Sequence, residues 1–254
     1  MSGAMAVLMN NVAGGSGAPV YTPLAGSLEF NGSSQYLSIS PGVPLGTIAY
    51  TIEGWFQTNG PIDYATTMGL VGTDQSNALS LFNNDAQSFT LDRYGGGGAR
   101  TYTFPTNTLQ GNTWQYIILN RNSDQRETMW VGTFDNTSSY VTCNRATGAT
   151  GGSSISGGTQ INNLDYSGPC NWIGRFYGGY WSGFITNLRI TAGAAWYDSN
   201  SSTVIAPTAP LNSTGFGSGP VQYLMLGADI ITDSSGYNTV TNAGGVTLNA
   251  VKPF

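Results

Sequence analysis

Histidine is absent from the 254-residue chain, and lysine occurs once, at Lys252. Without an imidazole there is no Ser-His-Asp or Cys-His machinery, no histidine-ligated zinc or haem, and no histidine base. Charge is scarce altogether: 8% of residues are Asp, Glu, Lys or Arg, against about 25% in an ordinary soluble domain. The balance is acidic, with a formal net charge of −5 and a pI near 4.4. That offers no electrostatic footprint for a phosphate backbone, which excludes nucleic acid as a partner. No stretch reaches the ~18 uninterrupted apolar residues of a membrane helix. The longest early run, Ala4-Met5-Ala6-Val7-Leu8-Met9, has no positive residue before it, so it reads neither as a span nor as a secretory signal. Cysteine occurs twice, at Cys143 and Cys170. Two are too few for a disulfide framework or a zinc site; a single bridge and two separate thiols both remain open.

What is present is glycine (36 residues), much Ser, Thr and Asn, and enough hydrophobic (40%) and aromatic (12%) content for a core. Residues 1–25 are small, uncharged and rich in Asn, Gly, Ser and Pro, and read as an arm. From residue 26 onward, short period-2 alternations recur: Leu28/Phe30, Leu37/Ile39, Leu79/Leu81, Phe89/Leu91, Met129/Val131 and Val221/Tyr223/Met225. Turn clusters separate them, among them Asn31-Gly32-Ser33-Ser34 and Asp233-Ser234-Ser235-Gly236. The best helix candidate, residues 192–197, is too short to be more than one turn. Residues 145–158, mostly Thr, Gly, Ser and Ala, read as a long mobile loop. The pattern predicts an all-β antiparallel sandwich or barrel over residues 26–254 behind an extended N-terminal arm.

Four stretches carry a resemblance. They are Ser27-Leu28-Glu29-Phe30-Asn31-Gly32 running on to Tyr36-Leu37, then Tyr50-Thr51-Ile52-Glu53-Gly54-Trp55-Phe56, then Trp114-Gln115-Tyr116-Ile117-Ile118-Leu119-Asn120-Arg121, and last Ile173-Gly174-Arg175 with Trp181-Ser182-Gly183-Phe184-Ile185-Thr186-Asn187-Leu188-Arg189-Ile190. In this order they resemble laminin-G-like modules of the concanavalin A-like lectin/glucanase superfamily. The resemblance implies a two-sheet antiparallel jelly-roll sandwich. The later stretches Ala206-Pro207-Thr208-Ala209-Pro210-Leu211, Asp233-Ser234-Ser235-Gly236 and Pro253-Phe254 are similar to modules of tailed, notably marine, bacteriophage structural proteins. Similar modules occur in secreted bacterial adhesins.

Catalysis is not expected. Glucanases of the superfamily carry E-x-D-x-x-E, and none of Glu29, Glu53 and Glu127 has a partner acid at i+2 or i+5. Sugar-binding sandwiches combine aromatic platforms with oxygen ligands and sometimes Ca²⁺. The run Arg175-Phe176-Tyr177-Gly178-Gly179-Tyr180-Trp181 sets four aromatics around two glycines, which makes Tyr177, Tyr180 and Trp181 candidate glycan or protein contacts. Asp63, Asp74, Asp92, Asp229 and Asp233 lack any cation-loop spacing, so no cofactor is assigned and Ca²⁺ is a minor alternative. The resemblance leads to a non-catalytic virion structural protein on the outer surface of a tailed-phage particle. It would be a homo-oligomeric capsid decoration, knob or cement subunit, held to capsid or sister subunits by Met5, Val7, Leu8 and Met9 of the arm. The alternative is a carbohydrate-binding adhesion module, on a tail fibre or secreted, that recognises surface glycans.

Overall fold

Alternating apolar and polar side chains pair into antiparallel ladders because each strand can then turn one face to a common core. A computed structural model describes residues 22–254 apart from 62–67, 74–78, 86, 94–98, 107, 139, 152, 156, 162–164, 178, 214–220 and 231. In chain order its strands begin with β1 (Ser27–Asn31), β2 (Tyr36–Gly46), β3 (Tyr50–Thr58), β4 (Met68–Gly72), β5 (Leu79–Asp85), β6 (Ser88–Arg93) and β7 (Arg100–Thr103). There follow β8 (Gln115–Arg121), β9 (Arg126–Thr133), β10 (Thr142–Arg145), β11 (Gly148–Thr150), β12 (Ser153–Ile155), β13 (Thr159–Ile161) and β14 (Tyr166–Ile173). The last are β15 (Arg175–Phe176), β16 (Gly179–Tyr180), β17 (Ser182–Ala192), β18 (Thr203–Ile205), β19 (Val221–Met225), β20 (Thr239–Ala243) and β21 (Thr247–Asn249). No helix occurs among the described residues.

The strands form a jelly-roll sandwich of two antiparallel sheets. The eleven-stranded sheet runs β12-β13-β9-β8-β3-β17-β1-β21, with β10 and β18 branching from β9 and β19 from β17. The eight-stranded sheet runs β11-β7-β6-β5-β4-β14-β2-β20. Leu28, Phe30, Leu37, Ile52, Leu119 and Ile190 meet between the sheets in the main core.

The outer face of the eleven-stranded sheet is also covered. Trp55, Tyr116, Ile118 and Trp130, the alternate residues of β3, β8 and β9, form a second apolar cluster with Leu24, Val141, Cys143 and Ala206. Packed chain therefore starts before residue 26: Leu24 is 2% exposed, and its N–H bonds Phe254 O at 3.3 Å. The Phe254 ring completes this cluster, 5.7 Å from Trp55 and 6.0 Å from Phe134. The apolar arm residues Met5, Val7, Leu8 and Met9 lie outside the described residues.

One expectation is corrected. Residues 145–158 are not a single long loop: β11 pairs with β7 and β12 with β13. Edge strands need little buried side chain, so Thr, Ser and Ala suffice. Gly151, Gly157 and Gly158, at φ of +80°, +80° and +71°, supply the turns that other residues resist.

Cys143 belongs to the outer cluster and Cys170 to the main core, and no disulfide joins them. Burial raises the Cys143 thiol far above its ordinary pKa, which leaves it inert.

Candidate functional site

The aromatic run at residues 175–181 folds back across the outer face of the eight-stranded sheet. Gly174, at φ +78°, starts the reversal, and a Cβ there would stand 2.4 Å from the Phe30 ring. Arg175 pairs with Tyr180 and Phe176 with Gly179, so β15 and β16 form a hairpin. The hairpin lies directly on β4. A Cβ on Gly69 would meet Phe176 N at 2.3 Å, and one on Gly72 would meet Arg175 O at 2.3 Å. Two glycines in one short strand thus make room for backbone laid on backbone.

Arg175 organises the rings. Tyr36 and Trp172 face outward because their neighbours Leu37 and Ile173 face the core. The guanidinium carbon sits 3.9 Å from the Trp172 ring centroid, 4.7 Å from Tyr36 and 5.1 Å from Tyr180. Tyr36 in turn meets Trp172 edge-on at 5.7 Å and Tyr180 at 6.2 Å. At the hairpin tip, Tyr177 is 48% exposed and its hydroxyl donates to Asp92 Oδ2 at 3.0 Å, on β6. The surface is therefore a set of rings held by a cation, with a carboxylate beside it.

Of the three aromatic residues picked from sequence, Tyr177 is exposed, Tyr180 is half-buried, and Trp181 is core. Trp181 is 2% exposed and packs edge-on against Phe56 at 5.8 Å. Its backbone bridges Gly174 O and Gly32 N–H, which turns the ring inward. Sequence reasoning missed Tyr36, Trp172 and Arg175 as members of the group. The signal was available in part: alternation puts Tyr36 opposite Leu37 and Ile39.

The glutamates are committed elsewhere. On the outer face of the eleven-stranded sheet, Glu53 is 1% exposed. It accepts hydrogen bonds from Tyr116 Oη at 2.7 Å, Tyr197 Oη at 2.6 Å and Arg189 Nε at 3.0 Å. Arg189 also stacks 3.4 Å from the Trp196 ring centroid and donates to Asn212 O. Burial, then the Glu53 charge, raises both tyrosine pKa values well above the ordinary range. Glu127 lies on the inner face of the same sheet, fully buried, accepting from Tyr50 Oη at 2.8 Å and 3.9 Å from Arg100 Nε. Glu29 accepts from Asn249 Nδ2 at 2.8 Å on edge strand β21. Opposite faces separate Glu53 from Glu127, so the two form no acid pair across a glycosidic bond.

The aspartates act as turn ties. Asp233 Oδ1 accepts from Leu224 N and Ser235 N, both at 2.9 Å, while Oδ2 accepts from Asn238 N at 2.9 Å. Asp229 accepts from Thr232 N at 2.7 Å. Asp63 and Asp74 lie outside the described residues. Among the described residues no three Asp, Glu or Cys side chains gather as a metal centre.

No family model matches the chain, and no curated protein matches its sequence. Solved structures do match in fold. A candidate carbohydrate-binding protein from Bacteroides ovatus is 19% identical, with a TM-score of 0.55 over 91% of this chain and 61% of that one. Domains LG4-5 of the mouse laminin α1 chain are 14% identical, with a TM-score of 0.44 over 72% of this chain and 46% of theirs. A heptameric SAP-like pentraxin from Limulus polyphemus is 13% identical, with a TM-score of 0.44 over 90% of this chain and 97% of its own. This chain thus spans less than two thirds of the laminin and Bacteroides chains. The likeness to the Bacteroides protein is one of fold, a two-sheet antiparallel β-sandwich.

Proposed function

We propose that the chain is a non-catalytic carbohydrate-binding module serving adhesion. The observation that carries this reading is the hairpin surface, where Tyr36, Trp172 and Tyr180 surround Arg175 and the exposed Tyr177 reaches Asp92 at the hairpin tip. Ring faces pack on the apolar faces of sugars, and phenol and carboxylate groups take their hydroxyls. The description of the Bacteroides ovatus protein as a carbohydrate binder supports the same reading. The test is a glycan array followed by calorimetry, with and without Ca²⁺, on wild type and Tyr177→Ala/Tyr180→Ala. The expected result is saturable binding that falls more than about tenfold in the double variant, the factor that ~1.4 kcal/mol of lost contact produces. Absence of any glycan ligand, or equal binding by the double variant, would refute it.

A second reading, a homo-oligomeric decoration subunit on the outer surface of a phage particle, draws support from the resemblance of residues 189–254 to phage modules. Mass spectrometry of purified particles tests it: the chain is present at stoichiometric copy number or the reading fails.

A further inference from the structure

Arg175 differs from the other arginines in how its charge is met. Arg100, Arg126 and Arg189 each face a carboxylate, and Arg121 and Arg145 donate to carbonyl oxygens. None of the ion pairs among the described residues includes Arg175, and its Nε is buried without a hydrogen-bond partner. What holds the guanidinium is rings: Trp172, 7% exposed, is the floor beneath it, and the half-buried Tyr36 and Tyr180 are the walls. Stacking of this kind uses the flat faces of a guanidinium and leaves its in-plane N–H donors unspent. Nε is the closed edge of the fork, and Nη1 and Nη2 are the open one. The strand that carries Arg175 is laid on β4 at Gly69 and Gly72, so the fork is set in place before any ligand arrives.

A half-buried cation with no acceptor is costly, and a carboxylate is the group that removes the cost, because its two oxygens match the planar fork. Resting on the carbohydrate-binding function proposed above, we infer the class of sugar: a glycan bearing a uronic acid, its carboxylate taken by Nη1 and Nη2 of Arg175. Asp92 sets the orientation. It takes the Tyr177 hydroxyl at 3.0 Å and forms no ion pair with Arg175, so the surface has a cation at the hairpin base and a carboxylate at its tip. The acid group of the sugar therefore lies toward Arg175 and its hydroxyls toward Asp92. The same carboxylate, with a net charge of −5 on the whole chain, works against densely sulfated polyanions. A single fork suits one carboxylate on an otherwise neutral glycan.

An array of neutral, sulfated and uronic-acid-bearing oligosaccharides tests the class on the full chain. Uronic-acid probes should bind, and reducing their carboxyl groups to primary alcohols should weaken binding more than about tenfold, the factor that loss of one hydrogen bond to a charged group produces. Rising NaCl should weaken the acid probe and spare its reduced form. Arg175→Gln should bind the two forms equally, whereas Arg175→Lys keeps part of the preference. The comparison of acid and reduced probes uses wild type, so it decides the matter even where Arg175→Gln fails to fold. Neutral glycans bound in preference, with the loss in Tyr177→Ala/Tyr180→Ala retained, would overturn the acid assignment and leave carbohydrate binding standing. Preference for sulfated probes, or an acid preference unchanged in Arg175→Gln, would overturn it as well. Absence of any bound glycan would remove both.

Discussion

Replacing Glu53 by Gln keeps the side-chain shape and removes one charge. In the folded protein the Glu53 carboxylate receives Tyr116 Oη, Tyr197 Oη and Arg189 Nε at 2.6–3.0 Å, and Arg189 Nη2 as well. Two of the partners are tyrosine hydroxyls on one oxygen, which can turn to accept from the amide NH₂ of Gln, while the amide oxygen stays toward Arg189, so the change removes mainly the charge. Arg189, 5% exposed, is left as a buried cation without a counter-charge, met by the neutral Gln oxygen, Asn212 O and the Trp196 face. Breaking a buried ion pair from one side costs about 3–5 kcal/mol. With a urea m-value near the top of the small-protein range, about 3 kcal/mol/M, the midpoint should fall by roughly 1–2 M. Adding Arg189→Met to Glu53→Gln should recover part of the loss, because no unmatched guanidinium then remains buried. A midpoint within the equivalent of ~1 kcal/mol of wild type would refute the reasoning. So would a double variant as unstable as the sum of the two single losses.

Gly174→Ala puts a methyl 2.4 Å from the Phe30 ring at φ +78°. It should cost at least about 2 kcal/mol and lower Tm by about 4–8 °C in calorimetry. Phe254→Ala empties the half-buried place beside Trp55 and Phe134 and should cost about 1–3 kcal/mol by guanidinium unfolding, while an unchanged midpoint would show the C-terminal ring to be a bystander. Asp135 receives N–H bonds from Ser138 and Thr137 and the Ser138 hydroxyl, which lower its pKa from 3.8 to about 2. Because the folded value is depressed, its contribution to stability is complete above the ordinary carboxylate range and disappears as pH falls through about 2; an NMR titration of its carboxyl carbon at the ordinary value would contradict the turn geometry.

Local pattern was a good guide wherever a residue's role depends on its own strand. Alternation in Phe184 to Ile190 anticipates Phe184, Leu188 and Ile190 on one face and Arg189 on the other; Leu188 and Ile190 do enter the core, but an irregularity between Thr186 and Arg189 shifts the register, so Ile185 faces the core and Phe184 packs in the outer cluster. The resemblance motifs hold Glu53 and Arg189 in separate stretches, and the register of β3 with β17 sets them opposite each other, an ion pair invisible without the fold. The hairpin shows the limit more sharply. Tyr177 and Tyr180 stand out as aromatics in a glycine-rich run, whereas Arg175 finds Tyr36 across 139 positions only because β2 pairs with β14. Leu24 was placed in the arm because its neighbours are small and polar, yet one apolar side chain next to Phe254 is enough to pin the segment. Residues 145–158 misled for the opposite reason: edge strands with small side chains carry almost no hydrophobic signal.

The two outer faces of the sandwich are used differently, and that asymmetry bears on how the module presents itself. The outer face of the eleven-stranded sheet is covered by Phe134, Val141, Tyr197, Ala206 and Phe254 together with Leu24, and Glu53 and Arg189 are paired beneath them. Thr22 and Phe254 are both fastened on that side, through Thr208 and Leu24. The hairpin with Tyr177 and Tyr180 lies across the other sheet, over β4 and toward β6. Residues 22 and 254 are thus on one side of the sandwich, and the exposed Tyr177 is on the opposite side. A body joined through residue 254 leaves the hairpin clear of it, as the proposed glycan-binding surface requires. Fusing a bulky folded domain to residue 254 should therefore leave glycan affinity unchanged, whereas a bulky label at Tyr177→Cys should abolish it; an equal loss from both would place the recognition surface at the termini instead.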